Sequence, residues 1–189
     1  MQFIKLKEIT DIRLGYSLQK ALSADIKGNI RIIQPKDIDE FNCIDFSDVW
    51  STTISPNPVK HFINNGEVLL ISRGKFRAAV YKPPIGQNFA VSSSFLRIIL
   101  NSSVMIPEYV ATYLNSFAGY RELAKMQSCG TGIAAINADE LKNLKIPIPS
   151  LSKQKKIAEL SNERLNMRKL QKKHTILLDK IFDYVIGEH

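Results

Sequence analysis

The chain has 189 residues and a mass of 21.4 kDa, room for one domain with an extension but not for two large domains. Its 44% hydrophobic and 23% charged residues, at a mean hydropathy of -0.10, supply material for a core and argue against wholesale disorder. Twenty-six basic against 18 acidic side chains leave a net charge of +8, a balance that favours a polyanionic partner, and no apolar run approaches the roughly 18–20 residues of a membrane span.

Residues 3–12 mix period-two alternation with a helical spacing of Leu6, Ile9 and Ile12, which predicts a short strand running into a short helix that stops at Gly15. The opening stretch carries Lys5, Lys7, Glu8 and Asp11 and lacks the apolar block of an export signal. Gly28-Asn29 is a turn signal before the β-branched run Ile30, Ile32, Ile33, read as a strand. After Pro56 and Pro58, Asn64-Asn65-Gly66 turns into Glu67 to Ser72, whose short apolar continuity predicts a buried strand ended by Gly74. Ala78 to Tyr81 and Phe95 to Leu100 are further strands, separated by the Pro83-Pro84 and Gly86 turn.

A helix opens with Pro107 and sets Val110, Leu114 and Phe117 on one face, with a break expected near Gly119. Asn137 with Glu140 three residues on forms a capping box for one helical turn. Leu144 to Pro149 must then be extended, since each proline disfavours helix in the residue before it. From Ser152, a plausible N-cap, to about Val185 there is neither Gly nor Pro. Ile157, Leu160, Arg164, Met167, Gln171, His174, Leu178, Ile181 and Val185 fall on alternating spacings of three and four, the rhythm of a coiled-coil seam. About 34 residues at 1.5 Å each span roughly 50 Å, so part of this helix should project and need a partner. The other reading is a helix packed along its own domain.

Charge is unevenly placed. Nine basic and five acidic side chains follow residue 150, and no acid lies between Glu67 and Glu108, where Arg73, Lys75, Arg77, Lys82 and Arg97 all fall. That stretch is a candidate phosphate-facing surface. It is equally read as a solvated face balanced by the run Asp37, Asp39, Glu40, Asp45 and Asp48.

No catalytic constellation stands out. His61, His174 and His189 have no metal-ligand neighbour at helical or hairpin spacing. Asp25-Ile26-Lys27 and Glu140-Leu141-Lys142 match only the short end of a nuclease motif, and Gly74-Lys75 is followed by Phe76 rather than a P-loop hydroxyl. Cys43 and Cys129 are too few for a disulfide framework, fit a reducing compartment, and read as small core fillers. Gly130-Thr131-Gly132 reads as a loop that exposes backbone amides to a phosphate, or as an ordinary turn. Ser92-Ser93-Ser94 and the basic Arg73, Lys75 and Arg77 carry groups suited to phosphate and base edges. Tyr16, Phe76 and Tyr81 are stacking candidates or core residues.

These residues together resemble the specificity subunit of type I restriction-modification enzymes. The resemblance is carried by Leu6-Lys7-Glu8-Ile9 with Gly15, by Gly66 to Gly74, and by Pro107-Glu108-Tyr109-Val110 with Tyr113-Leu114. It continues from Gly130-Thr131-Gly132 through Asn137 and Leu141 into Leu144 to Leu151 and Gln154-Lys155-Lys156-Ile157-Ala158. Glu67 stands where the family more often has Asp, and Lys153 where an acid is common. Members usually carry two recognition domains and two spacer helices, so the resemblance implies a half-length subunit.

The implied fold is α+β: a compact mixed-sheet target recognition domain over residues 1–149, then a long coiled-coil-forming spacer and dimerisation helix over 150–189. The implied role is non-catalytic, sequence-specific recognition of double-stranded DNA, one half of a split target, for methyltransferase and restriction subunits. S-adenosylmethionine, ATP and magnesium are expected in those partners and no cofactor in this chain. Arg73, Lys75, Arg77, Ser93, Ser94, Gly130 and Thr131 are the expected DNA-facing residues, with Lys20, Arg31 and Lys36 behind them. Two copies pairing antiparallel through the seam would read a palindromic split site in the cytoplasm. The alternatives are a recognition subunit of a type IIB or fused system, an interaction protein that binds its partners through the helix without reading DNA, and a magnesium-dependent nuclease.

Overall fold

A computed structural model describes residues 2–17, 28–54, 58–126 and 135–187. Among them run nine strands: β1 (Phe3–Lys5), β2 (Thr10–Leu14), β3 (Ile30–Ile33), β4 (Ser51–Thr52), β5 (Val68–Ile71), β6 (Ala78–Val80), β7 (Phe89–Val91), β8 (Phe95–Leu100) and β9 (Lys145–Pro147). The helices are α1 (Pro107–Leu114), α2 (Phe117–Lys125), α3 (Ala138–Lys142) and α4 (Leu151–Gly187). An antiparallel sheet in the order β2-β8-β5-β6 lies over a mixed sheet in the order β4-β3-β7, and β1 pairs separately with β9.

The alternation of side chains along β5 explains the layering. Val68 and Leu70 share a core with Ile12, Leu96, Ile98 and the helix residues Tyr109, Val110, Leu114 and Leu123. Leu69 and Ile71 point the other way, into a core with Ile33, Phe89, Val91 and Phe95. A strand covered on both faces has no place for a polar residue, which is why residues 68–71 read as one apolar run.

Most of the expected elements are present, with several differences, among them Phe117, expected on one face with Val110 and Leu114 but exposed at the start of α2. Leu6, Ile9 and Ile12 do not share a helix: a 3-10 turn over Leu6–Glu8 leads into β2, whose whole length aligns with residues 96–100 of β8. The helix beginning at Pro107 stops at Asn115, before Gly119, because the Asn115 side chain bonds both ways to the Ala78 backbone at the free edge of β6, at 2.9 and 2.7 Å. Ser116 then caps α2, which runs through Gly119.

The capping box at Asn137 and Glu140 forms as the sequence predicts. The extended segment after it becomes β9, and α4 follows directly. Leu151 is already helical, so Ser150 rather than Ser152 receives the first backbone bond, from Gln154 N at 2.9 Å. Gln154 is fully buried at the root of α4: its amide accepts from Ile106 N at 3.0 Å and donates to Val104 O at 2.7 Å and Pro149 O at 2.9 Å. The side chains of the seam from Leu160 onward are exposed, with Leu178 at 52% and Ile181 at 59%.

Candidate nucleic-acid interface

Two turns meet at one end of the sandwich. The β5–β6 connection passes through Gly74, whose φ of +76 suits glycine, and presents Arg73 and Lys75 to solvent. The β7–β8 connection is Ser92-Ser93-Ser94, closed by Phe95 N donating to Ser92 O at 3.0 Å. Ser72 ties the turns together, its amide and hydroxyl both donating to Ser94 O at 2.9 and 3.0 Å. Arg73 also bridges to Ala135, and Ile136 N donates to Ser72 O at 2.9 Å.

The end of β2 completes the edge. Gly15 N donates to Phe95 O and Tyr16 N to Val91 O, at 3.0 and 2.7 Å. A side chain at Gly15 would place Cβ 2.1 Å from Ser92 O, so only glycine lets the chain pass this close. Ser92 Oγ, buried here, has no hydrogen-bond partner among the described residues. Arg73 and Lys75 are exposed and pair with no acid among the described residues. This edge therefore combines positive charge with two half-buried serines on rigid turns.

The other candidates are placed differently. Arg77 is half-buried and donates to Ile38 O and Asp39 O at 3.1 and 3.0 Å. Arg31 bonds Gln87 and lies 4.6 Å over the Phe89 ring, at the far end of β7. Lys36 pairs with Asp37 at 2.9 Å and lies 4.9 Å from the Trp50 ring. Lys20, Gly130 and Thr131, with Cys129, lie outside the described residues.

Arg97 corrects the charge-based expectation. It is 8% exposed, between the two sheets, and grips Glu67, itself 3% exposed, through two bonds of 2.8 Å. Because Leu96 and Ile98 face the helices, the alternation of β8 turns Arg97 inward, where it cannot reach a phosphate. Lys82 is held by Glu108 at 2.7 Å; burial opposes ionisation of Glu108, but the Lys82 ammonium and the residue's own backbone N–H together outweigh it and leave the carboxyl below its usual range. Tyr81 and Phe76 belong to the cores, and burial pushes the Tyr81 hydroxyl up to about 12. Tyr16 is half-buried with its ring 4.5 Å from that of His61. Cys43 is no core filler: it sits half-buried in a loop, its sulfur 3.1 Å from Lys169 Nζ. No described helix is long and apolar enough to cross a membrane.

Besides β4 and α2, the sequence readings passed over two features near these sites. One is β7, three residues long and hidden between flanking turns; the other is the loop 39–43, whose acids read as mere counter-charge.

A family model for the type I restriction modification DNA specificity domain matches residues 1–176, and the chain belongs to that family. A curated relative, the type I restriction enzyme MjaVIII specificity subunit of Methanocaldococcus jannaschii, is 24% identical over 135 residues, covering 67% of this chain and 30% of its own. Among solved structures, the HsdS subunit from Thermoanaerobacter tengcongensis matches with a TM-score of 0.60 at 18% identity, over 92% of this chain and 39% of that one. A chain from a study of complex assembly and conformational transition of the type I R-M system gives 0.69 at 18% identity, over 97% and 43%. The type I restriction-modification S subunit from M. genitalium gives 0.56 at 18%, over 84% and 37%. These likenesses define the fold, and the chain spans under half the length of each of these proteins.

Proposed function

We propose that this chain is a non-catalytic recognition module of a type I restriction-modification complex, reading one half of a split double-stranded DNA target. In this reading residues 1–149 form the recognition domain and 150–189 the spacer and dimerisation helix. The observation that carries it is the edge of Arg73, Lys75, Ser93 and Ser94, where two cations without acidic partners among the described residues stand on turns fixed by Ser72. Arginine grips guanine bidentately, and lysine and serine suit phosphate, so one edge combines reading with positioning. Chemistry belongs to methyltransferase and restriction subunits, which bind S-adenosylmethionine, ATP and magnesium in the cytoplasm. The exposed seam of α4, with Leu160, Met167, Leu178, Ile181 and Val185, supports pairing with a second copy.

Selection from a random duplex library, by the chain alone and with its methyltransferase subunit at physiological salt, tests the reading. A split palindromic motif is the expected result. Arg73→Ala then weakens specific binding by about 1–3 kcal/mol, and Lys75→Ala lowers the salt dependence by about one counterion. Recovery of no motif even in the assembled complex overturns the reading in favour of an interaction protein.

A further inference from the structure

Helix α4 is held to the recognition domain by side-chain bonds at two places. The first is its root at Gln154, beside which Ile157 packs against the core next to α1. The second lies about four turns further on, where the loop Asp39–Cys43 receives Arg168, Lys169 and Lys172. Lys169 Nζ stands 3.9 Å from Asp39 Oδ2 and 3.1 Å from Cys43 Sγ, and Lys172 bonds Glu40. The Phe41 ring takes Arg168 at 5.8 Å and Lys169 at 5.5 Å. The Cys43 sulfur and Asp39 raise the Lys169 ammonium above its usual range against a smaller effect of burial, so its charge is secure.

The loop is braced independently of the helix. Asp39 Oδ1 accepts from the amides of Phe41 and Cys43 at 2.8 and 2.7 Å, Asn42 adopts a φ of +61, and Arg77 holds the carbonyls of Ile38 and Asp39 from behind. Between the two attachments a cleft of about 1020 Å³ opens between α4 and residues such as Ile44, Phe46 and Ala111. Ile157 packs against the main core beside α1, and the face of α4 through Ala158, Ser161 and Leu165 is half-buried, so the helix lies along the domain from Gln154 to the loop and projects beyond it.

We propose that the loop 39–43 is a positioning clamp: it fixes the axis of α4 against the recognition domain and so sets the separation of half-targets that a paired assembly accepts. This rests on the DNA-reading function proposed above. A rod held only over its first turns, by Gln154, Ile157 and α1, can still swing at its far end, while a hold some 15 residues, or roughly 22 Å, beyond Gln154 aligns it. The arm from Gln154 to Gly187 is roughly 50 Å long, so a swing of about 10° moves its tip by roughly 9 Å. At 3.4 Å per base pair that is roughly two to three base pairs. Each exposed pair in the clamp is weak and screened by salt. Its effect comes from five contacts converging on one loop that is already in place.

The test compares the full chain with the variant Glu40→Arg/Phe41→Ala, each assembled with its methyltransferase subunit. Both are titrated against duplexes carrying two half-targets at varied spacing, and against one half-target alone. The wild type should prefer one spacing by about tenfold or more. The variant should bind spacings two base pairs either side within about threefold of its best, with single half-target affinity unchanged. The charge exchange Glu40→Arg/Lys172→Glu should restore the narrow preference. A wild type indifferent to spacing, or a variant with the wild-type profile, overturns the clamp. If the wild type selects no target at all, the DNA reading itself fails. The clamp is then decided by spin-label distances between noncanonical residues at Asn65 and Asp183: a broader distribution in Glu40→Arg/Phe41→Ala supports it, and an unchanged one overturns it.

Discussion

Arg97 and Glu67 form the charged pair most sensitive to single substitution, because both are sealed between the sheets. Arg97→Leu leaves the Glu67 carboxylate with only the amide and side chain of Asn64, at 2.8 and 3.1 Å, and strips Phe62 O of its donor. Uncovering one member of a buried pair costs about 3–5 kcal/mol. For a domain of this size that corresponds to a Tm lower by roughly 6–20 °C, at 2–4 °C per kcal/mol. The double variant Glu67→Leu/Arg97→Leu removes the stranded charge and loses chiefly the Asn64 bonds, about 1–2 kcal/mol, so it should be more stable than Arg97→Leu alone. Urea unfolding followed by circular dichroism measures both, with an unchanged m-value required for the comparison. An Arg97→Leu protein within about 0.5 kcal/mol of wild type, but deficient in DNA binding, would refute the assignment of Arg97 to the interior and return it to the interface.

Gln154→Leu leaves one part-buried amide and two part-buried carbonyls at the root of α4 without this partner and should cost about 1–3 kcal/mol in the same unfolding assay; a neutral effect would mean that the root is not held by this side chain. Gly15→Ala and Gly74→Ala separate two demands on glycine. The first drives Cβ to 2.1 Å from Ser92 O and should destabilise by about 3 kcal/mol or more, while the second meets open space and costs only about 1–2 kcal/mol for its positive φ. Equal costs would refute the distinction. Glu40 is held below its ordinary 4.5 by Lys172, against some desolvation, with Arg168 and Arg77 adding to the field. A lowered carboxylate contributes above its unfolded value and is lost as pH falls through the folded one. The distance distribution between residues 65 and 183 should therefore hold steady at neutral pH and broaden only below that range; broadening between about pH 8 and 6 would point to a histidine instead.

What could be read from the residues was whatever has a local pattern. The strands β3, β5, β6 and β8 follow from β-branched or continuous apolar runs, α1 and α3 from Pro107 and the Asn137–Glu140 box, and α4 from its sustained seam. What escaped depends on partners distant in sequence. Leu6, Ile9 and Ile12 keep a helical interval, yet β8 offers β2 a complete antiparallel ladder and pairing overrides spacing. Arg97 counted as surface charge because its partner lies 30 residues earlier. Its flanking Leu96 and Ile98 already carried the alternation that turns it inward. Asp39 and Glu40 counted as balancing acid because Lys169 and Lys172 lie some 130 residues away. For the site, the basic and serine content of the two turns was legible, but not that Ser72 would join them, nor that Arg77 would be turned to brace a loop.

The pairing of β1 with β9, with Ile4 opposite Ile146, sets the beginning of the domain beside the root of α4. In an antiparallel pair of such helices, the tip of one comes to lie near the root of the other, and hence near the other's first strand. A short linker could then join the end of one copy to the start of the next without disturbing either core. Duplication in tandem would produce a chain of double length with the same internal symmetry, and each half could afterwards change its two turns independently. Under the pairing and DNA reading proposed above, passage from a symmetric target to an asymmetric one would require a new peptide connection rather than a new fold.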